Sequence, residues 1–515
     1  MSGADSGAAL VAEARRQLAA GDLRGCERLC RAGLQQPGTA MPPAELSRLL
    51  ARALHGLKRS TEAVLHQRRA ARASGEAADF FALGVMELAS GMVEPALAAW
   101  RQTLVLDPGH APAARNLGLA LAKAGRFDEA AMVLAAAEAR FPGDTVFPRL
   151  LADAHAGLGR TDLARADYHR ALALDPGDGR SWFLAGLIDR DQGRFEAALD
   201  CFSRAVAVAP DCAAAHVDLG QMRLLLGDCA GGWPEWEWRE SNHHRGRPLA
   251  LTPPRRLRVY AEQGHGDTIQ FCRILPRLAA LGFEISFQCH PPLVGLMRSL
   301  AGVARVLGFD EDGGEGEEIG LLSLPLALGL GLEGPPGPVP YLSVAERPVA
   351  GLVRRRAGGG PAVGLVWAGN PAHRNDGNRS CPFSALAPLR ALARVDYYSL
   401  QVGPAALPAA AGADPWLTDL APRLSDFADT AAAIQALDLV IAVDTATAHL
   451  AGALGRPVWL LLPWVPDWRW QLARADCPWY PGMTLFRQRA PGDWAECLER
   501  VASALAHWKP PSSDP

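Results

Sequence analysis

At 515 residues the chain is too long for one hydrophobic core, and about two to four domains are expected. Its 49% hydrophobic and 21% charged residues, with a formal net charge of −3, exclude a general binder of nucleic acid or of anionic membrane surfaces. Ten scattered cysteines form no Cys-x-x-Cys pair, which excludes a zinc ribbon and a disulfide scaffold.

The opening Met-Ser-Gly-Ala-Asp-Ser has neither the basic region nor the apolar core of a signal peptide. No apolar run reaches the roughly 18–20 residues that span a bilayer. With the cysteine pattern, this gives the expectation of a reducing, cytoplasmic location. Residues 8–76 are helical in pattern but keep no clean period, so residues 1–76 are expected to be degenerate helical repeats and a cap.

From residue 77 a strict period sets in. Pro108, Pro142, Pro176 and Pro210 are 34 residues apart, as are Gly91, Gly125, Gly159, Gly193 and Gly227, and Ala96, Ala130, Ala164 and Ala198. Small residues let paired helices approach, glycine makes the turn between them, and proline stops the second helix. Trp100, Leu134, Tyr168 and Phe202 recur at one position and fill the space between helices. This pattern resembles the tetratricopeptide repeat. Four clear repeats run to about residue 212, and a fifth ends in the run Gly-Gly-Trp-Pro-Glu-Trp-Glu-Trp at 231–238. Residues 77–240 are therefore expected to form a solenoid whose concave face binds a protein or peptide. The alternative role is a scaffolding arm that makes a homodimer. Trp233, Trp236 and Trp238 are expected to cap the solenoid and pack it on the next domain. A linker follows at 241–254.

After Pro254 the period switches to alternating strands and helices, which implies parallel sheets. A first lobe, 255–340, is expected to contain strands at Leu257–Ala261, Phe283–Gln288 and Ala304–Gly308. An amphipathic helix is expected to follow the first strand to about Leu281, a further helix runs from Pro292 to Leu300, and a buried apolar segment covers Ile319–Leu328. The Gly- and Pro-rich stretch 332–340 crosses to a second lobe, 341–510. Strands are expected there at Pro361–Trp367, Asp396–Gln401, Leu439–Val443 and Val458–Leu462, with a last helix at about Asp493–Trp508.

Three turns concentrate polar residues. Gly264-His265-Gly266-Asp267 joins a strand to a helix, and its glycines permit close approach to a ligand. Thr268 and Gln270 follow in the same loop. Asp267 is either a general base or only a helix cap, and His265 is the competing base, since an imidazole titrates near neutral pH. The loop 367–380 collects Asn370, His373, Arg374 and Arg379, and arginine forks suit diphosphate oxygens. Asp444, Thr445, Thr447 and His449 crowd the carboxyl end of a buried strand, where ligands of open α/β sheets sit. The N-terminus of the following helix favours phosphate. Arg469, in Asp-Trp-Arg-Trp after the last expected strand, is a secondary candidate. The loop 367–380 holds no Asp-x-Asp to bind a donor-site metal, so no metal and no cofactor are expected.

The segment Asp-Thr-Ala-Thr-Ala-His-Leu-Ala-Gly-Ala-Leu-Gly-Arg-Pro at 444–457 resembles the nucleotide-sugar signature of heptosyltransferase-type glycosyltransferases. Gly-Asp-Thr-Ile-Gln-Phe-Cys-Arg-Ile-Leu-Pro at 266–276 is similar to the segment that opens their first lobe. The resemblance implies a GT-B pair of Rossmann-like α/β lobes behind a tetratricopeptide α-solenoid, an α plus α/β multidomain chain. It resembles the layout of bacterial flagellin glycosyltransferases and, more distantly, of the nucleocytoplasmic O-linked N-acetylglucosamine transferases. It implies that a sugar passes from a nucleotide sugar to Ser or Thr hydroxyls of a protein, flagellin-like, recruited by the solenoid. In that family the aspartate corresponding to Asp267 is a candidate base, and a lysine usually lies near the donor phosphates. The loop 367–380 has no lysine, so the sugar and the base stay open. The alternatives are a lipid-linked or polysaccharide acceptor, and a non-catalytic interaction protein with a relic transferase domain.

Overall fold

The computed structural model describes residues 3–35, 43–239, 256–331, 337–353, 360–373, 375–405 and 416–510. The expected linker 241–254, most of the lobe crossing, and Arg374 lie outside them. The chain divides into two compact units, residues 1–188 and 189–515. Among the described residues no helix is long and apolar enough to cross a membrane.

The N-terminal part is helical throughout. Helices α1 (Gly3–Ala19), α2 (Leu23–Gln35), α3 (Pro43–Gly56) and α4 (Ser60–Ser74) precede the strict period. Helix pairs then follow the 34-residue spacing: α5 (Ala77–Ala89) with α6 (Val93–Leu106), α7 (Ala111–Lys123) with α8 (Phe127–Arg140), and α9 (Val146–Gly157) with α10 (Thr161–Leu174). The series continues with α11 (Gly179–Asp191), α12 (Phe195–Val208), α13 (Ala213–Leu225) and α14 (Cys229–Trp236). The five turn glycines have φ between 68° and 93°, a region that β-carbons disfavour. A Cβ on Gly84 would stand 2.5 Å from Trp100, and one on Gly118 would stand 2.5 Å from Leu134. Glycine on the first helix thus makes room for the large residue on the second, as the period implies.

The α/β region holds two parallel sheets. The first contains β1 (Arg256–Tyr260), β2 (Glu284–Cys289), β3 (Val303–Gly308) and β4 (Glu317–Gly320), in the order β3-β2-β1-β4. The second contains β5 (Ala362–Val366), β6 (Asp396–Ser399), β7 (Leu417–Asp419), β8 (Leu439–Val443), β9 (Val458–Leu462) and β10 (Met483–Arg487), in the order β10-β9-β8-β5-β6-β7. Strands β5, β8 and β9 are buried at every residue, as a sheet covered on both faces requires. Helix α23 (Trp494–His507) packs Cys497, Leu498, Val501 and Leu505 against that core.

The structure breaks one expected helix and adds two strands to the expected ones. The helix expected up to Leu281 is broken into α15 (His265–Phe271), a 3₁₀ turn (Cys272–Ile274) and α16 (Leu275–Ala280). Pro276 is the cause, since it has no N–H to return to the carbonyl four residues back and its ring crowds that group. The apolar segment 319–328 starts as β4, and Pro325 opens the short helix α18 (Leu324–Ala327) after α17 (Pro291–Met297). Strands β7 and β10 were not expected. β7 has only three residues, and β10 follows the aromatic stretch Trp479-Tyr480-Pro481-Gly482, where no long apolar run signals it.

The last repeat packs on the α/β lobes through its tryptophans. Trp233 meets Trp468 edge-on at 5.3 Å and donates Nε1–H to the Leu330 carbonyl at 2.8 Å. Trp236 lies 6.0 Å from the same Trp468 ring. Trp238 instead stacks on His216 of α13 at 4.1 Å and closes the solenoid. Beside them Arg239 is buried to 2% exposure. It donates to both Glu262 oxygens at 2.9 Å, to Glu237 at 2.8 Å and to Ser323 at 2.6 Å. Removing one partner of such a network leaves buried charge uncompensated. Arg239→Met is therefore expected to destabilise the chain by about 3–5 kcal/mol, read from the urea midpoint. Replacing Arg239, Glu262 and Glu237 together with apolar residues is expected to recover most of the loss, and a triple variant no more stable than Arg239→Met would contradict this account.

Candidate functional site

Four strand ends build the site. After β1 the chain passes Gln263, whose φ of 57° is left-handed for a non-glycine residue, and enters α15 at Gly264. Asp267 Oδ2 accepts the Gly264 N–H at 2.8 Å and so fixes this turn. After β8, Asp444 and Thr445 lead into α22 (Ala446–Ala453). Thr445 returns its hydroxyl to the Val443 carbonyl at 3.2 Å, and Thr445 and Thr447 are half-buried. Helices α15 and α22 then meet. A Cβ on Gly266 would stand 3.0 Å from His449 Cδ2, so only glycine lets the two turns approach this closely.

The end of β9 supplies the third group. Asp467 caps a 3₁₀ turn, and Arg469 in it is 7% exposed. Arg469 donates to Asp267 across the lobes, to Gln270 Oε1 at 2.7 Å and to Asp467 Oδ1 at 2.8 Å. Its guanidinium lies 4.3 Å from the Trp468 ring centre. Burial opposes the charge on Arg469, but Asp467 and Asp267 outweigh it and hold the group above the ordinary guanidinium range. All three of its nitrogens are thus engaged with protein acceptors.

His449 is 4% exposed. Its Nδ1 lies 2.9 Å from the Tyr480 hydroxyl and its Nε2 lies 3.7 Å from Asp444 Oδ1. Trp470 Nε1 donates to Asp444 Oδ2 at 2.9 Å. Burial works against the charge of Asp444, yet His449, Trp470 and Arg469 together hold its carboxyl below the usual carboxylate range.

The loop after β5 contributes Asn370, His373 and Arg379. Each is engaged within the loop: Asn370 Oδ1 accepts from Ala372, His373 Nδ1 accepts from Asn375, and Arg379 pairs with Asp376 at 3.2 Å. Gln401 anchors the loop by accepting from the N–H groups of Trp367 and Ala368 at 3.0 and 2.9 Å. Burial lowers the pKa of His373 and the charge of Arg379 adds to it, against Asp376, Asp444 and Asp467.

Two histidines face the first lobe. His290 Nε2 donates to the Gln263 carbonyl at 3.0 Å, and its Nδ1 lies 3.2 Å from the buried Thr268 hydroxyl. His265 lies 4.8 Å from the His290 ring and 5.1 Å from Phe427, and its imidazole forms no hydrogen bond among the described residues. Burial lowers the pKa of both, and for His265 the neighbouring His290 adds to the effect. Next to this pair opens a cleft of about 430 Å³ lined by Arg258, Tyr260, Gln263, Gln288, His290 and Phe309. It exists because β1 and β2 alternate: Leu257, Val259, Ile285 and Phe287 are buried in the core, while Arg258, Tyr260, Ser286 and Gln288 are only half-buried on the other face.

The structure therefore gathers Asp267, Gln270, Asp444, His449 and Arg469, with His265, Gly266 and Thr268 at the same turn. Tyr480, His290 and Gln401 were not among the residues that the sequence singles out, and Trp470 was named only as part of Asp-Trp-Arg-Trp. Gln401 carried a usable signal, a polar residue at the carboxyl end of a strand. Tyr480 carried none.

Comparison with known proteins gives two separate matches. A tetratricopeptide repeat model matches residues 81–145, 149–188 and 185–231. The glycosyltransferase family 9 (heptosyltransferase) model matches residues 405–461, the segment that contains the Asp444–His449 turn. The chain thus joins tetratricopeptide repeats to a glycosyltransferase family 9 segment. Protein FlbA of Caulobacter vibrioides is 27% identical over 468 residues, covering 82% of this chain and 77% of FlbA. Among solved structures, MamA of Desulfovibrio magneticus aligns with 33% of this chain and 97% of its own at 21% identity and a TM-score of 0.31. A tetratricopeptide repeat protein of Parabacteroides merdae aligns with 47% of this chain and 95% of its own at 15% identity and a TM-score of 0.35.

The neutral histidines bear on stability. The unfolded chain binds a proton on each imidazole near pH 6.5, and the fold resists protonation of His265 and His290. Their contribution is full above about pH 6.5 and is lost as the pH falls below it. The thermal midpoint is expected to drop across that window, and less steeply in a His265→Gln, His290→Gln double variant. Identical slopes in the two proteins would refute this assignment.

Proposed function

We propose that the chain is a nucleotide-sugar-dependent glycosyltransferase that glycosylates Ser or Thr hydroxyls of a protein bound by the repeat array, a flagellin-like acceptor being the first to try. The observation that carries the reading is the meeting of two strand-end turns from two parallel sheets, Gly264–Asp267 and Asp444–His449, with the family 9 match on the second. Tetratricopeptide repeats are protein-interaction modules, which favours a protein acceptor over a lipid-linked one.

In this reading the donor phosphates lie at the N-terminus of α22, where free N–H groups and the helix dipole meet negative charge. His449 and the 367–380 loop, with Arg379 and His373, complete the donor side. Loop donors and the helix end do the work a metal would otherwise do, so the reaction runs without one. The acceptor enters from the first-lobe cleft beside His265 and His290. Its hydroxyl oxygen attacks the anomeric carbon as the hydroxyl proton passes to a base. The bond from that carbon to the phosphate oxygen breaks, and its electron pair leaves with the nucleotide. His265 suits the base better than Asp267. Burial favours its neutral form and it forms no hydrogen bond among the described residues, whereas the two oxygens of Asp267 are held by Gly264 and Arg469. Asp267 then fixes the turn and the lobe contact.

A thermal-shift screen against ADP, UDP, GDP and CMP and their sugars tests the donor site. A ligand at one hundred times its dissociation constant stabilises by about 2.7 kcal/mol, a visible shift. One base is expected to shift the wild type and to lose its effect in Arg379→Ala and His449→Ala. With the donor known, His265→Ala is expected to lower kcat by roughly 10²–10⁴, and the acid limb of kcat/KM is expected below about pH 6.5. Full transfer by His265→Ala with none by Asp267→Asn would move the base to Asp267. Absence of any nucleotide shift would overturn the reading.

A further inference from the structure

We propose that Tyr480 is a positioning residue that donates its hydroxyl proton to His449 Nδ1 and so leaves the imidazole proton on Nε2, which makes His449 a hydrogen-bond donor at the Asp444–Thr445 turn and not a proton acceptor there. The tautomer follows from the neighbours alone. Its use in catalysis rests on the glycosyltransferase reading.

The groups facing His449 are few. Tyr480 faces Nδ1, Asp444 faces Nε2, and the Trp470 ring lies 5.3 Å from the imidazole. Tyr341 stands behind Tyr480, to which it is hydrogen-bonded. The Tyr341 hydroxyl donates to the Ile269 carbonyl at 2.8 Å, and a carbonyl only accepts, so the single proton of Tyr341 is committed. Tyr480 therefore has two acceptors for its one proton, Tyr341 and His449 Nδ1. If it chose Tyr341, a neutral His449 would carry its proton on Nδ1 and turn a bare Nε2 lone pair toward Asp444. That carboxylate is ionised, since it accepts the Trp470 N–H and is stabilised by Arg469. Two acceptors facing each other 3.7 Å apart repel. Donation from Tyr480 to Nδ1 removes the conflict. The proton then sits on Nε2, on the side of Asp444 and of the Gly266 turn.

The placement of Tyr480 is built in. Its N–H bonds the Cys477 carbonyl at 3.2 Å and its carbonyl accepts from Met483 at 2.9 Å, which fixes the turn before β10. Its ring lies on Gly452 of α22, where a Cβ would come within 2.5 Å. Glycine at that position admits the ring, and the ring brings the hydroxyl to Nδ1. An N–H directed at the turn meets the charge that grows on a departing phosphate, where a lone pair would oppose it.

The test uses the full-length protein with ¹⁵N-labelled histidine, in two-bond nitrogen–proton correlation spectra at a pH where imidazoles are neutral. The His449 signals are those that vanish in His449→Gln. The expected wild-type pattern has a protonated Nε2 and an unprotonated Nδ1. Tyr480→Phe, which keeps the ring on Gly452, is expected to give a mixture of tautomers while the other histidine signals stay in place. A wild-type pattern with the proton on Nδ1 overturns the proposal, and so does a Tyr480→Phe spectrum with the wild-type His449 pattern. Should Tyr480→Phe fail to fold, the wild-type pattern alone decides. The spectra need no sugar transfer, so an inactive protein with the expected pattern counts against the glycosyltransferase reading and leaves the tautomer standing. In an active protein Tyr480→Phe is expected to lower kcat about tenfold or more with little change in KM. An unchanged kcat alongside the altered tautomer overturns the catalytic part.

Discussion

One buried guanidinium joins the parts of this site. Arg469 takes Asp267 and Gln270 from the first lobe and Asp467 from its own turn, and it lies on the face of Trp468. A charge this deep is tolerable only when its donors are met, and here all three nitrogens meet acceptors. The cost of that constraint is freedom: all three Arg469 nitrogens are already held by protein acceptors. What it does is fix Asp267, and through Asp267 the Gly264 turn. The same arginine helps keep Asp444 ionised, and the ionised Asp444 in turn dictates how the His449 ring carries its proton.

The repeat array is coupled to this centre by the same tryptophan. Trp468 holds Arg469 on one side and receives Trp233 and Trp236 of the final helix on the other. The turn glycine Gly193 also approaches Trp464, whose Nε1 would stand 2.8 Å from a Cβ at that position. The last repeats are thus built into the α/β unit, and Arg239 seals the junction with its buried carboxylates.

The two candidate bases separate on hydrogen bonding. Asp267 lies in the motif that resembles the family, yet its oxygens cap a helix and pair with a guanidinium. His265, two residues earlier, lies against His290 and Phe427 and forms no hydrogen bond among the described residues. Burial keeps it neutral, the state a base needs before it acts. The half-open face of the first sheet places a cleft beside it, a consequence of the polar-apolar alternation in β1 and β2.

Much was legible in the sequence, because periodicity is a local property of backbone geometry. The 34-residue period announced the helix pairs and their turn glycines. Continuous apolar runs announced β5, β8 and β9, and polar residues at their ends announced Asp444, His449 and the 367–380 loop. Two strands escaped: β7, of three residues, is too brief for a pattern and β10 lacks a continuous apolar run, while Pro276 broke a helix that its apolar spacing suggested was whole. What the chain could not reveal locally was which polar group meets which. Asp267 and Arg469 are 202 residues apart, and His449 and Tyr480 are 31 apart. A hydrogen bond between such groups depends on where two distant turns come to rest. Only tertiary packing brings Gly266 against His449 and Tyr480 against Gly452, and with them decides which nitrogen carries a proton and which histidine is left unengaged.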